Sequence, residues 1–251
     1  MVQRLKFYTG LIGLIGVAIH TPSLAERSVQ AGLVTSANSS FYEDAGNEYY
    51  FLPLVIAEYD RFYLQGISGG YRFYQDDGGQ SLALEIRRTF DGYSSDDSDA
   101  LEGMADRDAA WEAGLAYEVG IAGGQAKAKL MQDISDTHKG LSVRVEYERP
   151  FWTNDTHMLS WYAGSEYWNG KKTDYYFGVS PEEATAATRH DYTADESYRF
   201  YLGSNLVKRI DDNISLLASA EYLRADDAVD DSPLTTRQDQ WSAYIGVFYE
   251  F

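Results

Sequence analysis

Cysteine is absent from all 251 residues, which excludes disulfides, thiol nucleophiles and Cys-ligated metal centres. Long apolar runs are absent too. Beyond the first 25 residues none approaches the roughly 20 needed for a membrane-crossing helix, and mean hydropathy is −0.41. A barrel strand needs only every second residue apolar, so a polar average leaves that route open. Positive charge is scarce, with 21 Lys and Arg against 39 Asp and Glu and a net charge of −18. Such a chain is a poor match for nucleic acid, which attracts basic patches. It is equally unsuited to simple adsorption on an anionic lipid surface. Histidine is sparse: past the N-terminal segment only His138, His157 and His190 occur. They are too scattered for a zinc set. His157 follows Asp155 and His190 adjoins Asp191, and neither spacing makes a catalytic dyad. With no Gly-x-Ser-x-Gly elbow either, no enzyme is expected.

Aromatics are abundant, at 15% of the chain with 21 Tyr, 11 Phe and 5 Trp. Tyrosine pairs an apolar ring with a polar tip and suits a lipid–water boundary. The N-terminus reads as a secretory signal: Arg4 and Lys6, an apolar stretch from Gly10 to Ile19, then Ser23 and Ala25 before a cut ahead of Glu26. Residues 1–25 are thus expected to leave, and 26–251 to form one domain with no linker.

From residue 28 onward the dominant pattern is alternation with period two. Leu141, Val143, Val145 and Tyr147 share one face, and Ser142, Arg144, Glu146 and Glu148 the other. Segments starting at Trp111, Tyr198 and Ile214 repeat the scheme. Noisier runs cover 29–37, 50–60, 61–74, 81–90, 124–134, 157–168 and 173–179, and the last strand spans about 239–251. The total is twelve strands, with ten as the alternative because 173–179 is weak. An even count returns both termini to the periplasmic side. The longer connections fall at 91–108, 181–196 and 225–238, with a short helical turn expected from Pro181.

A soluble sandwich also alternates. Charged inner faces, aromatics crowding the strand ends and the C-terminus favour an all-β, transmembrane antiparallel barrel of the bacterial outer membrane. Trp241, Ala243, Ile245, Val247, Tyr249 and Phe251 form one face of the last strand, which ends on an aromatic. In lipid every backbone group needs a partner, so the sheet must close. This strand is expected to close it and to carry the address for the barrel-insertion machinery.

Several segments together resemble the MipA/OmpV family of outer-membrane proteins. They are Leu52-Pro53-Leu54; Gly70-Tyr71-Arg72-Phe73 with Asp76-Asp77-Gly78; Asp99 to Met104 with Asp106-Arg107-Asp108; Gln132 to Ser135 with His138-Lys139-Gly140; Thr173 to Val179; Ser232-Pro233; and Tyr249-Glu250-Phe251. The resemblance implies a non-enzymatic scaffold linking a lytic transglycosylase (a murein hydrolase) to a peptidoglycan synthase, a penicillin-binding protein. The alternative is a small porin-like or stress- and osmotic-response protein.

Three candidate features remain. Inward charges are expected at Glu85, Arg87, Glu112, Lys127, Lys129, Arg144, Glu146, Arg199 and Glu221. Charges of both signs in a narrow lumen pair with each other, as a stiffening plug or as a pore constriction. The strand count puts 91–108 on the periplasmic side, where a long loop is unusual. Asp96, Asp99, Leu101, Met104, Asp106 and Arg107 are therefore expected to dock periplasmic partners; the acidic run starting at Asp91 lacks an EF-hand pattern. Asp226, Asp227, Asp230 and Asp231 lie in an extracellular loop, either solvated or bridged by divalent cations to lipopolysaccharide.

Overall fold

The computed structural model describes residues 28–186 and 189–251. The signal segment expected at 1–25 lies outside the described residues. Twelve strands close into one antiparallel barrel. They are β1 (Ser28–Asn38), β2 (Glu48–Tyr59), β3 (Phe62–Gln65), β4 (Ser68–Gln75), β5 (Ser81–Arg88), β6 (Trp111–Ile121), β7 (Gly124–Asp133), β8 (Leu141–Thr153), β9 (His157–Trp168), β10 (Ser197–Arg209), β11 (Ile214–Ala225) and β12 (Asp239–Glu250). Sequential strands pair, and β12 closes on β1 from Gln30↔Glu250 to Asn38↔Ser242.

The count of twelve stands, but two of its members differ from expectation. The run 61–74 is a hairpin rather than one strand: β3 and β4 meet at Gly66, whose φ of +61° is the left-handed region that glycine enters without cost. The run 173–179 is no strand: 173–177 belong to helix α1 (Gly170–Phe177), and Val179 makes an isolated bridge with Tyr192. The side chain of Asn169 accepts from the Lys172 N–H and caps this helix. Its buried residues Lys172, Thr173, Tyr176 and Phe177 follow helical, not alternating, spacing. Two further short helices, α2 (Pro181–Ala186) and α3 (Asp227–Asp230), lie in the loops.

One strand gained before residue 81 reverses the end on which later connections fall. The connections 60–61, 76–80, 122–123, 154–156 and 210–213 share one end with both chain termini. The segments 39–47, 66–67, 89–110, 134–140, 169–196 and 226–238 share the other, the loop end. The segment bearing Asp96, Asp99, Leu101, Met104, Asp106 and Arg107 was expected beside the termini. It lies at the opposite end, with the other long loops.

Side chains alternate across the wall. Leu33, Leu64, Leu84, Leu115, Val145, Leu202 and Ile245 are exposed on the outer surface. Aromatics flank this aliphatic belt: Tyr59, Phe62, Phe73, Trp152, Tyr249 and Phe251 toward the turn end, and Tyr49, Trp111, Tyr198, Phe200 and Trp241 toward the loop end. Two such girdles match the two interfaces of a bilayer. Trp241, Val247, Tyr249 and Phe251 all face outward along the seam.

The wall is low at one point. β3 pairs only with Ile56–Tyr59 of β2, and Gly66 N–H reaches the Val55 carbonyl. Above that, Glu48–Leu54 pair with β1 alone. Backbone groups alternate sides along a strand, so Tyr49, Phe51 and Pro53 turn theirs toward the gap. Proline, which has no N–H to offer a neighbour, is tolerated at such an edge.

Candidate functional site

The inward-facing residues of β3 to β11 form ion pairs, most of them joined in one network. Glu85 takes Lys129 Nζ at 2.8 Å and the Tyr63 hydroxyl at 2.8 Å. Arg87 donates to Glu112 at 2.7 Å, reaches Ser142 at 3.4 Å and lies 3.8 Å from Glu166. Glu112 is fully buried and also accepts Lys172 Nζ at 2.7 Å, with His138 Nε2 at 3.3 Å. Arg144 meets Glu146 at 3.2 Å and Glu166 and Glu221 at 3.8 Å, and its guanidinium stands 3.8 Å over the Tyr201 ring. Lys127 lies 3.3 Å from Glu148 and 3.7 Å from Glu146. Buried charges persist only when partnered and hydrogen-bonded, and here each carboxylate has a cation.

All nine residues named from the sequence as inward charges project into this lumen. Eight of them form ion pairs with one another or with residues beside them. Arg199 differs, packing on Trp168 at 3.2 Å. The inward charges expected from the sequence did not include Glu148, Glu166, Lys172 or His138. Glu148 shares a face with Arg144 and Glu146, and Glu166 alternates with outward Tyr167, so both carried a usable signal. Lys172 had none, because only the docking of α1 in the barrel mouth brings it to Glu112.

An aromatic cluster covers the loop end of the lumen, and a smaller apolar cluster lines one side of the wall nearer the turn end. At the loop end, Phe41, Tyr42, Tyr93, Trp168, Tyr176, Phe177 and Leu234 form a buried cluster with Leu101 and Met104. Burial raises the Tyr42 and Tyr93 phenols well above their ordinary range; Tyr93 and Asp91 add to the rise at Tyr42, and Glu183 adds to it at Tyr93, where Arg107 opposes it. Both therefore stay neutral. At the turn end, Val34, Leu54, Tyr244 and Phe248 pack with Ile56 and Leu217.

The 91–108 loop contributes to the loop-end cluster. Leu101 and Met104 are buried in the cluster, while Asp96 and Asp99 are exposed. Asp97 accepts from Ser94 N–H, and Asp106 from Ser95 N–H, so these carboxylates cap the loop's own backbone. Arg107 donates to the Tyr175 carbonyl at 2.7 Å and to Glu183 at 2.8 Å, tying the loop to α1 and α2. Asp226 likewise accepts from Ser197 Oγ and Tyr198 N–H, anchoring α3 to β10.

A family model described as "MltA-interacting protein MipA" matches residues 31–251. Among curated relatives, outer membrane protein Omp26La of Vibrio anguillarum is 28% identical over 189 residues, covering 75% of this chain and 72% of its own. Outer membrane protein OmpV of Vibrio cholerae is 28% identical over 182 residues, covering 72% and 70%. The MltA-interacting protein of Escherichia coli is 26% identical over 214 residues, covering 84% and 85%.

Proposed function

The chain belongs to the MipA family of outer-membrane proteins, and on that footing we propose that it is a non-enzymatic docking scaffold. Its partners in this reading are a lytic transglycosylase and, through it, a penicillin-binding protein. The observation that supports the reading is the occupied lumen: Arg87 and Glu166 meet across it, and an aromatic cluster covers its loop end. In this reading the barrel works through its outer surfaces. The name of the Escherichia coli relative states an interaction with MltA.

Outer-membrane barrels keep short turns in the periplasm and long loops outside. We take the turn end as periplasmic on that basis, which moves the docking surface away from 91–108. The turns expose Asp60, Asp77, Asp155 and Asp212 around that rim. Arg61, Arg149, Lys208 and Arg209 are exposed at the same end, so the rim offers charges of both signs to a partner, and charge complementarity steers encounter more than it tightens binding. Phe251 and the outward face of β12 serve in this reading as the address for barrel insertion.

The test is pull-down of the organism's own lytic transglycosylase from mild-detergent membranes. Asp60→Asn, Asp77→Asn, Asp155→Asn and Asp212→Asn combined should weaken capture at least tenfold, whereas deletion of 94–105 should not. Capture lost with the loop and kept with the neutral rim would overturn the assignment of the surface. Stable single-channel conductance by the intact barrel would favour the porin-like reading instead.

A further inference from the structure

Among the described residues, six of the seven cations buried or half-buried in the lumen meet a carboxylate: Arg72 with Glu58, Arg87 and Lys172 with Glu112, Lys127 with Glu148, Lys129 with Glu85, and Arg144 with Glu146. Arg199 is the seventh. It is 1% exposed, and its guanidinium lies against the rings of Trp168, Phe177 and Phe41 at 3.2, 5.6 and 5.8 Å. Its Nε and Nη2 have no hydrogen-bond acceptor among the described residues. Neither does the indole N–H of Trp168. Cation–π contact with a tryptophan stabilises a buried guanidinium but leaves those N–H groups unmatched, and each costs its full desolvation.

Arg199 is one of the residues lining a cavity of about 30 Å³ at the loop end, together with Tyr42, Trp168 and Tyr176. That is room for about two water-sized atoms, the size of the oxygen pair on a carboxylate or phosphate. Nε and Nη2 are adjacent on one side of the guanidinium fork, the spacing that takes two such oxygens at once. The cavity wall includes Glu48, at the top of the unpaired edge of β2, and Asp91 and Gly92, just beyond β5. These residues stand on the two sides of the low wall above the β3–β4 turn. Both acidic groups are engaged: Glu48 accepts the Tyr50 hydroxyl at 2.6 Å, and Asp91 lies 3.7 Å from Lys172.

We propose that this cavity is an oxyanion-binding site in which Arg199 holds a carboxylate or phosphate head through Nε and Nη2. The ligand enters over the low stretch of wall between β2 and β5. A small soluble anion and the head of an amphiphile offer the same chemistry, and the site recognises that head rather than any tail.

The test uses the whole mature barrel purified in zwitterionic detergent. Thermal unfolding and tryptophan fluorescence are followed while sodium acetate, sodium phosphate or sodium decanoate is added, against sodium chloride at equal ionic strength. A saturable rise in midpoint beyond the chloride control is expected from at least one oxyanion. Response to acetate or phosphate identifies a soluble source, and response to decanoate alone an amphiphilic one. Arg199→Met should abolish the saturable response. Arg199→Lys, which keeps the charge and loses the fork, should weaken it at least tenfold and decides the matter if the Met variant does not fold. Asp91→Asn removes the nearest like charge and should tighten binding severalfold. A wild type that treats all three oxyanions as it treats chloride would overturn the proposal. So would a folded Arg199→Lys or Arg199→Met barrel that binds as well as wild type.

Discussion

Arg87 on β5 lies 3.8 Å from Glu166 on β9, four strands away round the wall. A contact between strands so far apart means that side chains from opposite walls meet inside the barrel. The same guanidinium holds Glu112 at 2.7 Å, so the crossing is anchored on both walls.

Glu112 should be the most sensitive position in that network. It is fully buried between Arg87, Lys172 and His138. Glu112→Gln leaves two cations facing each other without a counter-charge. Loss of one partner from a buried ion pair costs about 3–5 kcal/mol, expected as a lower urea midpoint for the refolded barrel at neutral pH. An unchanged midpoint would show that water reaches the lumen and screens it.

Planar-bilayer recording should show no stable current steps for the intact protein. Trimming the turn-end cluster with Tyr244→Ala and Phe248→Ala leaves the loop-end cluster in place, which should keep that variant silent. Current in the double variant would place the barrier at the turn end alone.

Gly66 should tolerate no branched residue. Its φ of +61° costs an ordinary L-residue about 1–2 kcal/mol. A side chain there would also press on Leu54, whose Cδ2 would lie 3.1 Å from an added Cβ. Gly66→Val should slow folding into vesicles and lower the unfolding midpoint by that order, and equal stability would place the turn elsewhere.

The Arg107–Glu183 tie should respond to acid. Burial raises the Glu183 carboxyl, but the Ala105 and Ser180 N–H groups and the Arg107 guanidinium outweigh it and hold the group below the usual carboxylate range. A depressed folded value contributes stability above the unfolded value, about 4.3, and loses it as pH falls below that. Protease cutting in 91–108 should therefore be faster in Glu183→Gln than in wild type at pH 6. The two should converge as pH falls through the lowered folded value of Glu183. A difference between them that does not shrink as the pH is lowered would mean the carboxylate is not what holds the loop.

The alternation of β6, β8, β10 and β11 was legible from single stretches of chain, because side-chain direction in a strand is a local property with period two. The same logic put Glu85, Arg144, Glu221 and their neighbours on the inner face, and put Trp241 through Phe251 on a closing strand. Partner identity within the network was not legible: Arg87 meets Glu166 only because the sheet closes.

What the sequence by itself determined, then, is a charged-inside, aromatic-belted barrel with its seam at the C-terminus. Burial and backbone satisfaction leave that pattern of residues no other way to sit in lipid. Tertiary structure alone decided which end of the barrel carries 91–108. That depends on the parity of all preceding strands, and the turn at Gly66 sits inside a noisy run, 61–74, that reads as one strand. It also decided that 170–177 is a helix, because the barrel mouth buries Lys172, Tyr176 and Phe177 along one helical face. Arg199 depended on that helix. With α1 and the loops packed around it, the guanidinium that the sequence counted among paired charges lies against tryptophan with one edge unmatched.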